Sequence, residues 1–242
     1  MVKHWVGCSG FHYKHWKEIF YPNDLPQRKW FDYYSGYFNT LELNVTFYKF
    51  PRLEYLESWY NRSPDNFSFS VKVPKAITHF KQFNDTQRML GDFYGTTKEG
   101  LKDKLGCILF QLPPRAAYTE ERLSKILDNI DPSFSNVLEF RNETWWNAEV
   151  FYQLSANNIS FCGMSHPLYP EEVIHNTSTV YYRFHGVPEL YKSPYPLSKL
   201  KRIAKEIKNS GNTKATYLYF NNDIDGSAIW NAREMRSIME RK

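Results

Sequence analysis

The chain has 242 residues, 42% of them hydrophobic and 18% aromatic, enough apolar material to bury a large core and too much for a disordered or fibrous protein. The formal charge of +5 comes from Lys and Arg spread along the sequence rather than gathered in one run, so an acidic partner is permitted and not demanded. No apolar run approaches the roughly 20 residues needed to cross a bilayer, and the opening MVKHWVGCSG has neither a signal-like apolar core nor a cleavage site. A soluble, cytoplasmic protein without membrane contact is expected. Cys8, Cys107 and Cys162 are odd in number and far apart, which suits reduced core thiols better than disulfides or a metal knuckle.

In chain order, β-branched and aromatic runs predict strands at Trp5 to Ser9, Thr40 to Phe47, Phe67 to Val73, Gly106 to Leu112, Val137 to Arg141, Ile159 to Ser165, Val180 to His185 and Thr216 to Asn221. Helical patterns lie between most of them, at Leu53 to Asn61, Thr86 to Lys104, Glu120 to Ile130, Ala148 to Asn157, Leu197 to Ser210 and Ser227 to Glu240. The stretch SHPLYPEEVIHNTS carries two prolines and predicts an irregular or reduced helix after strand six. No Gly/Ser linker divides the chain. Eight strands alternating with helices over about 250 residues is the pattern of one α/β domain, a TIM-type (β/α)8 barrel spanning residues 1–242. An open doubly wound sheet would use the same elements, but neither G-x-G-x-x-G nor a P-loop follows any strand.

Side chains on a strand alternate between faces, so a barrel strand sorts them between lumen and helical shell. With the apolar parity against the helices, the lumen receives Glu42, Asn44, Lys72, Gln111, Glu139, Arg141, Arg183, His185 and Asn221. Unpaired ions there would each cost several kcal/mol, so they must pair with one another, with water or with a ligand. Most fall near strand C-termini, the end at which barrel enzymes build their sites. A purely structural ion-pair network is the competing explanation.

Laid side by side, GCSGFHYKHWKEIFYP, LELNVTFYKFP, FSVKVPKAITH, LGCILFQLPP, LEFRNETWW, YYRFHG and YLYFNNDIDGSAIWNA resemble the domain-of-unknown-function 72 family, the YecE-like proteins, in order and spacing over nearly the whole chain. The resemblance implies a TIM-type barrel and supplies no activity. Cys8 and Phe11 to Tyr13 stand where the family commonly has a small residue and Trp-Ser-Tyr.

Glu42 and Glu139 form a carboxylate pair across the lumen, a pattern that can divide acid and base roles. Lys72 and Arg141 would keep both ionised, which disfavours glycoside hydrolysis. His185, at the rim before Gly186, is the preferred base; His79 after strand three is a second candidate, equally suited to a local cap. His166 ranks lower, and His4, His12, His15 and His175 show no partner pattern. A divalent metal could join His185 or His79 to Glu42, Glu139 or Asp223, but no ligand motif supports one. The eighth loop, NNDIDG, brings Asn221, Asn222 and Asp223 to the mouth, with Ser227 or Asp225 to cap the last helix. Tyr48, Trp145, Trp146, Tyr191 and Tyr195 lie in rim loops, where they either pack or stack nucleic-acid bases. The sequence therefore favours an enzyme, first a hydrolase, acting on a polar anionic ligand such as a phosphodiester or nucleic acid. Glu42, Glu139, His185 and Asp223 are its candidate catalytic groups, and Asn44, Lys72, His79, Gln111, Arg141, Arg183, Asn221 and Asn222 its candidate ligand contacts. The alternative is a non-catalytic nucleic-acid or protein binding module.

Overall fold

The computed structural model describes residues 2–209 and 211–241. Eight parallel strands close into a barrel in sequence order: β1 (Lys3–Ser9), β2 (Thr40–Leu43), β3 (Ser68–Lys72), β4 (Leu105–Gln111), β5 (Ser135–Glu139), β6 (Ser160–Ser165), β7 (Thr179–Phe184) and β8 (Ala215–Phe220). Closure is made by β1 against β8, from Lys3 beside Ala215 to Cys8 beside Phe220. The register is continuous except for a shift between Phe69 and Val71 on β3.

The shell consists of α1 (Trp30–Tyr37), the single turn α2 (Val45–Tyr48), α3 (Leu53–Arg62), α4 (Gln87–Leu101), α5 (Glu120–Asn129), α6 (Ala148–Ala156), α7 (Leu197–Lys208) and α8 (Ser227–Glu240). Local chemistry fixes several of these ends. The Thr119 hydroxyl accepts from Arg122 N at 3.1 Å, with Glu120 and Glu121 in the first turn of α5, and Asn147 caps α6 through Val150 N at 2.9 Å; both satisfy amides that the helix leaves open. Along α7, Leu200, Ile203, Ala204 and Ile207 are buried at helical spacing, which seats the helix by one apolar stripe. Its expected end, Ser210, lies outside the described residues. Between β6 and β7 no helix forms among the described residues, as the two prolines predict.

One expectation is corrected, and two elements have no counterpart among the predicted ones. Strand two does not run to Phe47: it ends at Leu43, and Asn44 turns the chain into α2, so Val45 becomes half exposed rather than packed against the shell. The alternation in LELNVTF continues past the strand because a single helical turn can also bury Thr46, whose hydroxyl donates to Leu43 O and Lys72 O. Helix α1 has no counterpart in the predicted elements; WFDYYSGY is rich in aromatics that read as strand, yet Trp30, Phe31 and Tyr34 share one buried face. The segment Ala76–Lys81, which carries His79 after strand three, is a π-helical turn.

Two apolar layers result. The main core lies between barrel and shell. A smaller cluster fills the floor of the lumen with Cys107, Leu109, Val137, Cys162, Tyr181, Tyr217 and Tyr219, where branched aliphatics are usual. The Tyr219 hydroxyl bonds to Thr40 Oγ1 at 2.6 Å and Ser70 Oγ at 2.9 Å. Cys8, Cys107 and Cys162 are buried free thiols, and desolvation pushes each of them up. No helix among the described residues is long and apolar enough to cross a membrane.

Candidate functional site

Above the tyrosine floor lies a layer of charge. Arg183 on β7 bridges both carboxylates: its Nη2 donates to Glu42 Oε1 at 2.7 Å and its Nη1 to Glu139 Oε2. Glu42 also accepts from Ser9 Oγ and from the Tyr181 hydroxyl, each at 2.6 Å. Glu139 accepts from Arg141 Nε as well. Glu42 and Glu139 are 0% exposed and Arg183 1%. Burial alone would raise the Glu139 carboxyl, but Arg141, Arg183 and Lys72 together outweigh it and hold it at about 2. Glu139 is therefore ionised, and both carboxylates are closed off and fully partnered.

His185 continues this layer. Its Nε2 lies 3.0 Å from Arg141 Nη2, a group that only donates, so Nε2 accepts. Desolvation, reinforced by Arg141 and Arg183, pushes the ring well below its ordinary value. The neutral tautomer thus carries hydrogen on Nδ1, 3.2 Å from the Asn221 amide; the two are complementary when the amide oxygen faces the ring. Gly186, at φ 92, makes the turn beyond it, and a Cβ there would come within 2.7 Å of Glu189 O.

Over this layer opens a cleft of about 530 Å³ whose wall includes Lys72, His79, Gln111, Arg141, Arg183 and Asn221, with Asn44, Tyr48 and Tyr191 at its edge. Lys72 ends β3. Its ammonium donates to Gln111 Oε1 at 2.6 Å and stands 4.2 Å from the Phe47 ring centre. Desolvation, then the Arg183 charge, lowers it from 10.5 to about 7, against the pull of Glu139 and Glu42. Arg141 places Nε and Nη2 in the sealed layer, while its Nη1 has no hydrogen-bond partner among the described residues. His79, on the π-helical turn, is lowered to about 4 by desolvation and the Lys72 charge, and its Nδ1 meets Thr78 Oγ1 at 2.9 Å. His166 is likewise lowered to about 4, by desolvation and Arg141. The cleft therefore presents Arg141 with one open nitrogen, Lys72 as an adjustable cation and His79 as a neutral imidazole, with the paired Arg183 at its base; His166 and His185 do not line it.

Asp223 and Asn222 do not join it. Asp223 accepts from Trp16 Nε1 at 2.6 Å and lies 2.9 Å from His15 Nε2; desolvation raises it to about 6 despite these partners. His15, set aside on the sequence, is its companion because the β1 and β8 loops meet at barrel closure, a contact 208 residues apart in the chain. Asn222 is 0% exposed and its amide donates to Ser193 O and Asn231 Oδ1 at 3.1 and 3.0 Å. It points oppositely to Asn221 and ties the loop to α8. Among the rim aromatics, Trp145 and Tyr195 are buried, Trp145 stacked 4.1 Å from Phe140 and Trp146 stacked 6.0 Å from Tyr169; Tyr48 and Tyr191 remain exposed. No three His, Cys, Asp or Glu side chains gather as a metal site among the described residues.

Fold and cleft define a parallel (β/α)8-barrel protein with a cationic pocket at the C-terminal ends of its strands, the position of barrel active sites. The family described as "Protein of unknown function DUF72" matches residues 5–242, and the chain belongs to it. It is 24% identical over 256 residues to the UPF0759 protein YunF of Bacillus subtilis strain 168, covering 91% of this chain and 90% of that protein. It is 28% identical over 110 residues to the UPF0759 protein YecE of Escherichia coli K12, a match spanning 45% of this chain and 40% of YecE. Of solved structures, a DUF72 family protein from Thermotoga maritima MSB8 superposes with a TM-score of 0.90 at 26% identity, covering 99% of this chain and 100% of that one. A DUF72 family protein from Enterococcus faecalis V583 superposes with 0.84 at 19% identity, covering 100% and 96%, and bears on the fold alone.

Proposed function

We propose that the chain is a cytoplasmic enzyme that seats an anionic ligand on Arg141 and Lys72 at the barrel mouth and works on it by acid/base or hydrolytic chemistry, with a phosphodiester as the specific substrate class. The carrying observation is an excess of cations: Glu42 and Glu139 are already shared between Arg183 and Arg141, while among the described residues Arg141 Nη1 makes no hydrogen bond and Lys72, bonded to the neutral Gln111, has no carboxylate partner in the cleft wall. A planar guanidinium beside an ammonium is a natural clamp for phosphate or carboxylate oxygens.

Within this reading Glu42, Glu139 and Arg183 are positioning residues, and His185 holds Arg141 in place through Nε2. Lys72 is the proton-handling group, because an amine brought to about 7 exchanges its proton near neutral pH. His79, neutral at that pH, is a second acceptor in the same wall.

The test is calorimetric binding of inorganic phosphate together with hydrolysis of bis(p-nitrophenyl) phosphate by the wild type and by Lys72→Met and Arg141→Gln. Loss of phosphate affinity in both variants, and in the wild type a fall in affinity as pH rises through about 7, is expected, since a bound anion favours the protonated amine. Unchanged binding in both variants overturns the reading. The non-catalytic alternative rests on the saturation of Glu42 and Glu139; binding that persists with no turnover of any phosphoester would favour it.

A further inference from the structure

The charged cleft has a neighbour that the anion does not explain. A groove of about 720 Å³ runs from it across the loop after β1 and the α2 and α3 region, walled by Phe11, His12, Tyr48, Tyr55 and Trp59. Tyr13, Asn44 and Tyr48 line both spaces, so the two are contiguous. Tyr48 and Tyr55 are 68% and 59% exposed, whereas Phe11 holds Trp59 edge-on at 6.4 Å and 90°. Large aromatics left open beside a polar site mark a binding surface rather than core. At the shared wall Asn44 Oδ1 is buried without any hydrogen-bond donor among the described residues, which leaves an acceptor to be satisfied.

An occupant of both spaces must carry negative charge at one end and a flat apolar face at the other, with a hydrogen-bond donor between them or on the ring. Sugar hydroxyls and ring amino groups supply that donor. We infer that groove and cleft form one bipartite site for a free mononucleotide, with its base against Trp59 and Tyr48 and its phosphate on Arg141 and Lys72. Each space falls within the size of small-ligand pockets. Every base has a π-face, so stacking here selects for a base without selecting which one. The inference rests on the anion reading of the cleft and adds the class of ligand.

Isothermal titration with inorganic phosphate, ribose 5-phosphate, AMP and UMP separates the two claims. AMP and UMP are expected to bind about ten-fold or more tightly than ribose 5-phosphate, the gain one stacked base gives. Trp59→Leu should erase that gain and leave ribose 5-phosphate affinity unchanged. Tyr48→Leu, at an exposed position with less risk to folding, should lower the ratio of AMP to ribose 5-phosphate affinity in the same way; the ratio is the readout there because Tyr48 also borders the cleft. Equal affinity for AMP and ribose 5-phosphate, or a gain that survives both substitutions, overturns the nucleotide site while the anion cleft stands. Failure of every phosphate to bind removes both. Much tighter binding of a thymidine hexamer than of either mononucleotide overturns the assignment to a free nucleotide.

Discussion

The two ends of the lumen solve the same packing problem with different chemistry. At the floor, Tyr181, Tyr217 and Tyr219 join Cys107, Leu109, Val137 and Cys162, neutral groups that need at most a local hydrogen bond. At the mouth β2, β3, β5 and β7 deliver Glu42, Lys72, Glu139 and Arg183, with Arg141 just beyond the end of β5, and these can be buried only in combination. The mouth is itself divided into a part where Glu42 and Glu139 are fully partnered by Arg183, Arg141, Ser9 and Tyr181 and a part around Lys72 and Arg141 Nη1 that keeps open donors. If the partnered carboxylates are scaffold and the open donors a binding site, substitutions in the two parts should act in opposite directions.

The largest effect is expected from Arg183→Met. It leaves Glu42 and Glu139 buried with their shared cation gone, and removal of one partner from a buried pair costs about 3–5 kcal/mol. Urea unfolding at pH 7 measures it. In the wild type Glu139, held at about 2 against an ordinary 4.5, contributes stability that is present above 4.5 and lost as pH falls toward 2. In the variant that contribution shrinks, so the gap between the two proteins should narrow on acidification. A loss below about 1 kcal/mol, the scale of an exposed ion pair, would mean that the bridge does not hold the mouth together.

Lys72→Met should do the reverse. A buried amine lowered from 10.5 to about 7 destabilises the folded state wherever the unfolded chain binds the extra proton. Stability from this group is complete above 10.5 and is lost as pH falls through about 7. Replacing it with an apolar chain of similar length is expected to stabilise by roughly 3 kcal/mol at pH 6, with the gain vanishing as pH rises toward 10.5. Phosphate affinity should fall in the same variant. Stability measured across that pH range distinguishes an unsaturated functional lysine from one more member of the structural network, whose loss would destabilise.

Why was the sealed layer legible before the structure and the rest of the mouth less so? Parity placed Glu42, Lys72, Glu139, Arg141, Arg183 and His185 in the lumen because strand alternation is a strictly local rule, and closure of the barrel then forces those residues together. Val45 escaped it, since a strand ending and a helical turn beginning can share an alternating pattern over three residues. The pairing of His15 with Asp223 depends on two loops brought together only by β1 meeting β8, and no spacing encodes it. Helix α1 was hidden by its aromatics. The groove beside the cleft belongs to the same class, because Phe11, Tyr48 and Trp59 come from separate loops and helices and none looks unusual alone.

The floor provides the smallest and most discriminating change. Tyr219→Phe removes a hydroxyl bonded to Thr40 Oγ1 and Ser70 Oγ, but Thr40 keeps its bond to Ser68 O at 2.7 Å, so the loss should be about 1 kcal/mol. Tyr181→Phe differs by one partner: its hydroxyl donates to the Glu42 carboxylate, and hydrogen bonds to charged groups contribute about 1.5–3 kcal/mol. The pair therefore locates the boundary between neutral floor and charged mouth within a single ring of tyrosines. Thermal unfolding should show Tyr181→Phe as the more destabilised protein. Phosphate titration should show Tyr219→Phe binding like the wild type. If Tyr219→Phe instead weakened the anion as much as Arg141→Gln, floor and mouth would be one coupled network, and the division between a sealed scaffold and an open site would have to be abandoned.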